Sequence, residues 1–236
     1  ARACYTSAGC VKHWTVGARE GIDAITNQLT CGAVDVHQLG GSGRAYVGRT
    51  TAEMLQIDVG TGKVSLAAEL MPGTCSQGTS CIGVGAGRGL VACGGFGGEL
   101  VMRDPRNKLR AEVQLSSPAH AAGVSSVTAQ GDLVITCGLT RDRNGHVATD
   151  HFVKVIDVRL GCRVLNVLQF PAGAVAVAFH PTLTGVVVLG GESGLIQTQD
   201  ADRGGPGAQG AGVFSQALVD LQGQRLTSLS ASSTGE

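Results

Sequence analysis

One sequence unit recurs four times along this chain, and its period restricts the folds that the chain can adopt. Each copy has a short apolar run that ends in Gly, followed by a strand-like segment that closes on Asp. The apolar runs start at Ala45, Leu90, Leu133 and Val186, at intervals of 45, 43 and 53 residues. The closing aspartates are Asp58, Asp104, Asp157 and Asp200. Such a period is typical of a propeller built from four-stranded blades, so we predict an all-β fold.

The same pattern divides the chain into blades of one domain, 1–236. We expect fuller blades at 41–72, 78–116, 122–171 and 172–202, partial blades at 1–40 and 213–236, and a flexible Gly-rich connection at 201–212. The second strand of the clearest unit, Leu90–Gly95, is apolar throughout, which predicts burial on both faces between neighbouring blades. Ragged ends would leave sheet edges open, and the first residue is not Met. We therefore expect an incomplete propeller.

One connection is longer than the others. Between the second and third strands of the 122–171 unit, the polar segment Leu139–His151 replaces a short turn. It is long for a hairpin connection. Such a segment is usually plain surface, but binding sites on propellers are also built from insertions of this kind, so both interpretations stay open.

Charge and cysteine usage exclude several classes of protein. The 18 basic and 18 acidic residues cancel without any long run of one sign, which argues against a dedicated nucleic-acid-binding module. No stretch resembles a signal peptide or a membrane span. The eight cysteines include no CxxC pair, and we interpret Cys93 and Cys137 as buried, reduced thiols at the same place in two repeats. Such usage favours a cytosolic or nuclear protein.

The residues that could carry chemistry are better explained as turns. Asp58, Asp104 and Asp157 recur at one strand end, where Asp caps turns by accepting backbone hydrogen bonds. Equivalent residues of different blades do not converge as the ligands of a metal-dependent nuclease must. The acidic and imidazole cluster matches no standard zinc or calcium loop and is interpreted as solvated loop charge. Its members are Asp142, His146, Asp150, Asp200 and Asp202.

Two Gly-rich segments imitate nucleotide-binding motifs. Gly83–Gly89 fails the GxGxxG spacing because Arg88 stands at the last Gly, and Gly60–Val64 has Val where a phosphate loop needs Ser or Thr. His180 ends an apolar strand with no GxSxG serine to accompany it. We therefore predict no catalytic, cofactor-binding or metal-binding residues, and the sequence does not identify the residues that bind protein.

The sequence motifs of the central units resemble those of a known family. Four motifs occur in the family's order, with the polar insertion at the expected place: Arg103–Arg106, Thr136–Gly138, Arg141–His151 and Phe152–Arg159. They resemble the N-terminal WD40 propeller of the catalytic subunit of the Pan poly(A)-nuclease deadenylation complex. The resemblance runs from about Ala45 to Gln199. Trp14 is not followed by Asp, and the only Gly-His pair, Gly145 and His146, lies in the insertion, so the polar network of a regular WD40 blade is not recoverable from the sequence.

The resemblance implies a WD40-type fragment of a seven-bladed ring and a scaffold rather than an enzyme. In that family the poly(A)-specific 3′–5′ exoribonuclease is a later domain of the same protein. The propeller would dock the pseudokinase regulatory subunit and, indirectly, poly(A)-binding-protein-coated mRNA, with no cofactor, membrane or small-molecule substrate. It would act in poly(A) tail shortening and mRNA decay in the cytoplasm, including P-bodies, or in the nucleus. The alternative is a WD40 adaptor of another multiprotein complex.

Overall fold

A computed structural model of the chain describes residues 2–7, 10–15, 29–35, 43–50, 54–58, 60, 61, 63–67, 75, 77–85, 89–107, 110–114, 118–201, 216–220, 226 and 229. These residues form short strands and one 3-10 helix, Pro105–Asn107. The first ten strands are β1 Arg2–Ser7, β2 Cys10–Thr15, β3 Leu29–Asp35, β4 Arg44–Arg49, β5 Met54–Asp58, β6 Val64–Ala67, β7 Thr79–Gly83, β8 Val91–Gly95, β9 Leu100–Asp104 and β10 Arg110–Gln114. The others are β11 Gly123–Gln130, β12 Leu133–Arg141, β13 Val147–Thr149, β14 Phe152–Asp157, β15 Arg163–Gln169, β16 Ala174–Phe179, β17 Val186–Gly191, β18 Leu195–Asp200 and β19 Gln216–Asp220.

The strands pair antiparallel into four blade-like sheets and one separate hairpin, β1–β2. Blade 1 is β3–β6, blade 2 is β7–β10, blade 3 is β11, β12, β14 and β15 with β13 attached to β12, and blade 4 is β16–β19. The first strands of successive blades lie against each other, β3 on β7, β7 on β11 and β11 on β16. The predicted all-β blade architecture is thus confirmed.

The blade boundaries differ from the sequence-based ones at both ends. The segment Gly32–Gln38 reads in the sequence as a remnant of an earlier blade, but β3 pairs with β4 and is the first strand of blade 1. The expectation that 213–236 begins a new blade is wrong for β19, which pairs with β18 and closes blade 4. The long Gly-rich connection between β18 and β19 hides this pairing, because it breaks the spacing on which the division relied.

Leu226, which follows β19 in the sequence, packs beside blade 4 at the place where the first strand of a further blade would lie. A side chain at Gly190 of blade 4 would overlap Leu226, just as a side chain at the equivalent Gly94 of blade 2 would overlap Val124. Val124 belongs to the first strand of the blade that follows blade 2. Leu226 therefore occupies the place of a first-strand residue beside blade 4.

Core packing explains why the second strand of blade 2, β8, is apolar throughout. All residues of β8 are buried. Ala92 packs in a cluster with Val134 and Ile156 of blade 3, whereas Val91 and Cys93 pack with Tyr46 and Met54 of blade 1. Alternate side chains thus face opposite neighbours, as the pleat requires. The prediction of burial on both faces is confirmed.

Two of the cysteines are buried as predicted but are not equivalent. Register pairs Cys81 with Gly94 in blade 2 and Ser126 with Cys137 in blade 3, so Cys137 corresponds to Gly94 and not to Cys93. The two thiols face different neighbours, since Cys137 packs with blade 4. The cysteines whose side chains are described are free thiols: Cys31, Cys75, Cys81, Cys93, Cys137 and Cys162. Burial raises the pKa of Cys75 and Cys81 to about 12.

Antiparallel order gives the blades two faces. The turns between first and second strands, and between third and fourth strands, open on what we name the lower face. The turns between second and third strands, and the connections between blades, open on the upper face. Within the described part of the chain, no helix has the length and apolar character needed to cross a bilayer.

Candidate interaction face

The polar insertion of blade 3 is an ordered hairpin on the upper face. The predicted place of the insertion is correct, but it is not an open loop: β12 continues to Arg141 and pairs with β13. The Asp142 amide donates to the His146 carbonyl (2.9 Å) to close the turn, and Asp142 Oδ1 accepts from the amides of Asn144 and His146, both at 2.8 Å. An Asp that accepts amides a few residues on is a strong turn former, so a polar sequence can specify a rigid tip here.

The base of this hairpin is fixed to two blades. The Asp150 amide donates to the Gly138 carbonyl (2.9 Å) within blade 3. The Thr149 hydroxyl donates to Glu192 Oε2 of blade 4 (2.7 Å). Thr149 also covers Gly173, where an added Cβ would lie 2.9 Å from the Thr149 Cβ. Residues 141–148 beyond this base are exposed, and the hairpin therefore stands above the face with a defined orientation.

A buried polar network lies directly beneath the hairpin. His120, in the connection that enters blade 3, is fully buried; its Nδ1 lies 2.8 Å from Asp150 Oδ2 and its Nε2 lies 3.1 Å from Thr136 Oγ1. Burial lowers the pKa of His120, and the hydrogen bond to Asp150 opposes that effect only in part. A neutral imidazole fits both contacts, with Nδ1–H donating to the carboxylate and Nε2 accepting from the hydroxyl. Asp150 Oδ1 also accepts from the Phe152 amide (3.0 Å).

The sequence motifs do not locate a polar network, but the structure contains one in blade 3. His120 is preceded by Ala119 and not by Gly, so no Gly-His pair marks it. The usable signal was position: His120 lies four residues before Val124, the residue that pairs with Gly138. Cys75 and Phe170 hold the same position before Thr79 and Ala174 of blades 2 and 4.

Blades 2, 3 and 4 all have a described residue at the position of His120. Of these three blades, only blade 3 has the polar network. Strand register places Gly97 of blade 2 and Ser193 of blade 4 where blade 3 has Asp150. Neither can replace a carboxylate. The connection residues there are also unsuited, since Phe170 is buried and apolar and Cys75 is a buried thiol. One blade thus combines the extended hairpin with the hydrogen-bonded support for it.

The recurring aspartates cap turns on the lower face, as predicted. Asp58 Oδ1 accepts from the Thr61 amide (2.7 Å), and Asp104 Oδ1 accepts from the Arg106 amide (2.8 Å). Asp157 Oδ1 accepts from the Arg159 amide (2.8 Å), while Arg159 Nη2 lies 2.9 Å from Asp157 Oδ2. The hydrogen bonds from Arg159 hold the pKa of Asp157 below its usual value. Asp200 ends β18 opposite Val186.

The structure divides the remaining acidic and imidazole residues. Asp142 and His146 meet at the hairpin tip, with Oδ2 and Nδ1 3.3 Å apart, whereas Asp150 turns inward to His120. Asp200 lies in another blade, and Asp202 lies outside the described residues. In the described ranges no three His, Cys, Asp or Glu side chains gather as metal ligands would.

The described residues of the two Gly-rich segments, and His180, lie at interstrand turns. Gly83–Gly89 begins at the end of β7 and precedes β8, and its residues 86–88 lie outside the described part of the chain. Gly60–Val64, whose residue 62 is also outside it, lies between β5 and β6, where the Asp58 amide donates to the Lys63 carbonyl (2.9 Å). His180 Nδ1 accepts from the Leu183 amide (3.1 Å) in the β16–β17 turn.

Comparison with known proteins identifies the family. The chain matches the family described as PAN2 N-terminal over residues 18–223. It is 32% identical over 147 residues to the PAN2-PAN3 deadenylation complex catalytic subunit PAN2 of Cryptococcus neoformans, which covers 62% of this chain and 12% of that protein. It is 33% identical over 117 residues to the Schizosaccharomyces pombe subunit, covering 50% of this chain and 10% of the relative. The chain thus spans about an eighth or less of the length of these relatives.

A solved structure establishes the fold class. The Neurospora crassa Pan2 WD40 domain superimposes with a TM-score of 0.66 at 23% identity, covering 88% of this chain and 58% of that one. This likeness confirms the predicted WD40-type β-propeller, with four blades that account for part of a larger ring. The matched region is the N-terminal WD40 region and not the nuclease region. Because the family match covers most of the sequence, the chain belongs to the PAN2 N-terminal family.

Proposed function

We propose that this chain is a non-catalytic WD40 scaffold of a poly(A)-specific deadenylase, and that it docks other components of the complex during shortening of mRNA poly(A) tails. The relatives are catalytic subunits of the PAN2-PAN3 deadenylation complex, and a PAN3-type regulatory subunit is the first partner that we infer. Poly(A) ribonucleoprotein is the second. We place the action in the cytoplasm.

The observation that supports a docking role most strongly is the blade 3 hairpin. Its tip offers exposed Arg141, Arg143, His146 and Val147 on a base held by Thr149. Binding loses affinity when a segment must first be ordered, so a preformed projection with polar and apolar groups suits recognition. No residue of the tip is needed for the core of the blades, since residues 141–148 are exposed.

The docking role is tested by capture of a purified PAN3-type regulatory subunit. The variant replaces Arg141–Val147 with Asn-Gly, a two-residue turn that keeps the Thr140–Ala148 pair of the hairpin base. We expect the intact chain to retain the regulatory subunit and the shortened variant to lose at least tenfold in affinity. Leu183→Ser, a change at an equally exposed position on the lower face, is the control and should bind normally.

The non-catalytic role is tested separately with a poly(A) oligonucleotide and Mg²⁺. We expect the isolated chain to leave the oligonucleotide intact, because nuclease chemistry needs several carboxylates around its metal ions. Trimming of the oligonucleotide would overturn the scaffold assignment. Failure of the intact chain to retain the regulatory subunit would overturn the docking assignment.

A further inference from the structure

A second surface of blade 3, on the lower face, exposes an unusual set of aliphatic side chains. Leu160 is 56% exposed, Val164 43% and Leu165 48%, all within the turn and outer strand that follow Asp157. Isolated exposed apolar residues need no explanation, but three within one six-residue segment are an unusual concentration of exposed apolar side chains. We name this set, together with Arg159 and Arg163, the lower-face patch.

Blade 2 shows that the fold does not require these aliphatic residues. Asp104 pairs with Arg110 in blade 2 as Asp157 pairs with Arg163 in blade 3, so the two segments align residue by residue. Asn107, Ala111 and Glu112 occupy the positions of Leu160, Val164 and Leu165, whereas the two arginines of the patch align with Arg106 and Arg110. Blade 3 therefore keeps the basic residues of the segment and replaces small or polar ones with large apolar ones.

Local geometry directs these side chains outward. Leu165 is an extra residue in β15, between the pairs Val155–Asn166 and Ile156–Val164. This bulge interrupts the alternation of a regular strand, so that Val164 and Leu165 are both exposed although they are consecutive. β15 is also the outermost strand of its sheet, and in the described part of the chain no strand pairs with its outer edge.

The charge around the patch indicates what could cover it. The Arg159 side chain is 63% exposed and pairs with two carboxylates, the almost fully buried Asp157 (2.9 Å) and the 43% exposed Asp132 (3.5 Å). Arg163 is exposed and forms no ion pair among the described residues. The patch contains no aromatic side chain on which a base could stack, unlike surfaces that bind single-stranded nucleic acid.

We propose that the lower-face patch docks an extended protein segment in which aliphatic and acidic residues alternate. Its aliphatic side chains would cover Leu160, Val164 and Leu165, and a carboxylate would pair with Arg163. Alternation suits a segment that lies along the open edge of β15, because consecutive strand residues point to opposite sides and Arg163 directly precedes Val164. This inference rests on the proposed docking role and adds to it a second surface with a defined partner chemistry.

The test uses a fluorescein-labelled 12-residue peptide of alternating Leu and Asp, with fluorescence anisotropy as the readout. We expect saturable binding to the intact chain that weakens as salt is added. The triple variant Leu160→Asn, Val164→Ala, Leu165→Gln follows blade 2 without adding charge and should weaken binding at least tenfold. Arg163→Glu should weaken it similarly. Phe96→Ser removes a comparable exposed apolar group from the upper face and should leave binding unchanged.

Several results would overturn the inference. These are absence of peptide binding, equal binding by the triple variant, equal binding of a Leu-Lys peptide, or displacement of the peptide by oligo(A) RNA or anionic phosphatidylserine vesicles. Thermal melts of the variants show whether they fold. Retention of the regulatory subunit is measured on the same proteins, so that an intact chain that binds the subunit but not the peptide rejects the patch alone. Loss of subunit binding with peptide binding intact rejects the proposed function alone.

Discussion

Truncation of His120 is the most direct test of how blade 3 supports its hairpin. His120→Ala removes a hydrogen bond to a carboxylate and leaves the fully buried Thr136 hydroxyl without its imidazole partner. A hydrogen bond to a charged group contributes about 1.5–3 kcal/mol, and an orphaned buried polar group costs about 1–3 kcal/mol. Partial relaxation makes the two effects less than additive, so we expect a loss of about 2–5 kcal/mol in the free energy of unfolding.

The assay is urea unfolding at pH 7.5 followed by circular dichroism. His146→Ala is the matched control, because His146 also faces an Asp side chain, at 3.3 Å, but is exposed at the hairpin tip. Exposed ion pairs contribute less than about 1 kcal/mol, and the control should stay within that limit. Combining His120→Ala with Asp150→Asn should cost less than the sum of the single changes, since both remove the same contact. If His120→Ala costs no more than His146→Ala, the network does not stabilise the blade and the reasoning is refuted.

Three further predictions concern the same blades. Gly138→Ala should destabilise the chain by about 1–3 kcal/mol in urea unfolding, because an added methyl group would overlap the His120 ring; Gly131→Asn, at a φ of +55° in open space, should cost less than half as much. Stability should fall as the pH drops below about 6.5, the ordinary pKa of histidine, because the lowered pKa of His120 leaves the folded chain with fewer bound protons than the unfolded chain; His120→Phe, which gives blade 3 the residue type that blade 4 has at Phe170, should flatten this pH dependence, and an unchanged slope would contradict the assignment. Burial raises the pKa of Cys93 and Cys137, so mass spectrometry should find both unreacted with iodoacetamide until the chain unfolds, and rapid modification under native conditions would show that the blades open.

Features of the fold could be predicted from the sequence where they depend on residues that are close together in the chain. The apolar run Leu90–Gly95 and the turn aspartates could be interpreted correctly because burial of a strand and capping of a turn depend on neighbouring residues. The assignment of β19 failed because its partner β18 lies beyond a long Gly-rich connection, and period alone cannot count across such a gap. Pairing of this kind is a tertiary choice.

The candidate site was harder to predict from the sequence, because it too depends on contacts between residues that are distant in the chain. Asp150 is 30 residues from His120, and nothing in either segment shows that the two meet. Asp142 and Asp150 look alike in the polar insertion, yet one closes an exposed turn and the other supports a buried imidazole. The lower-face patch could be recognised only after register aligned Leu165 with Glu112, because a bulge position has no sequence signature of its own.

Because β8 packs against both adjacent blades, the hydrophobic core of a blade is formed jointly with its neighbours and not by that blade alone. Each blade is stable only to the extent that its neighbours are folded, and the chain should behave as a row of coupled units rather than as independent modules. Opening should then begin at the end units and proceed inward. Amide exchange should be slowest in β8 and β12, which lie between folded neighbours, and Leu226 beside Gly190 would protect the strands of blade 4 from fraying.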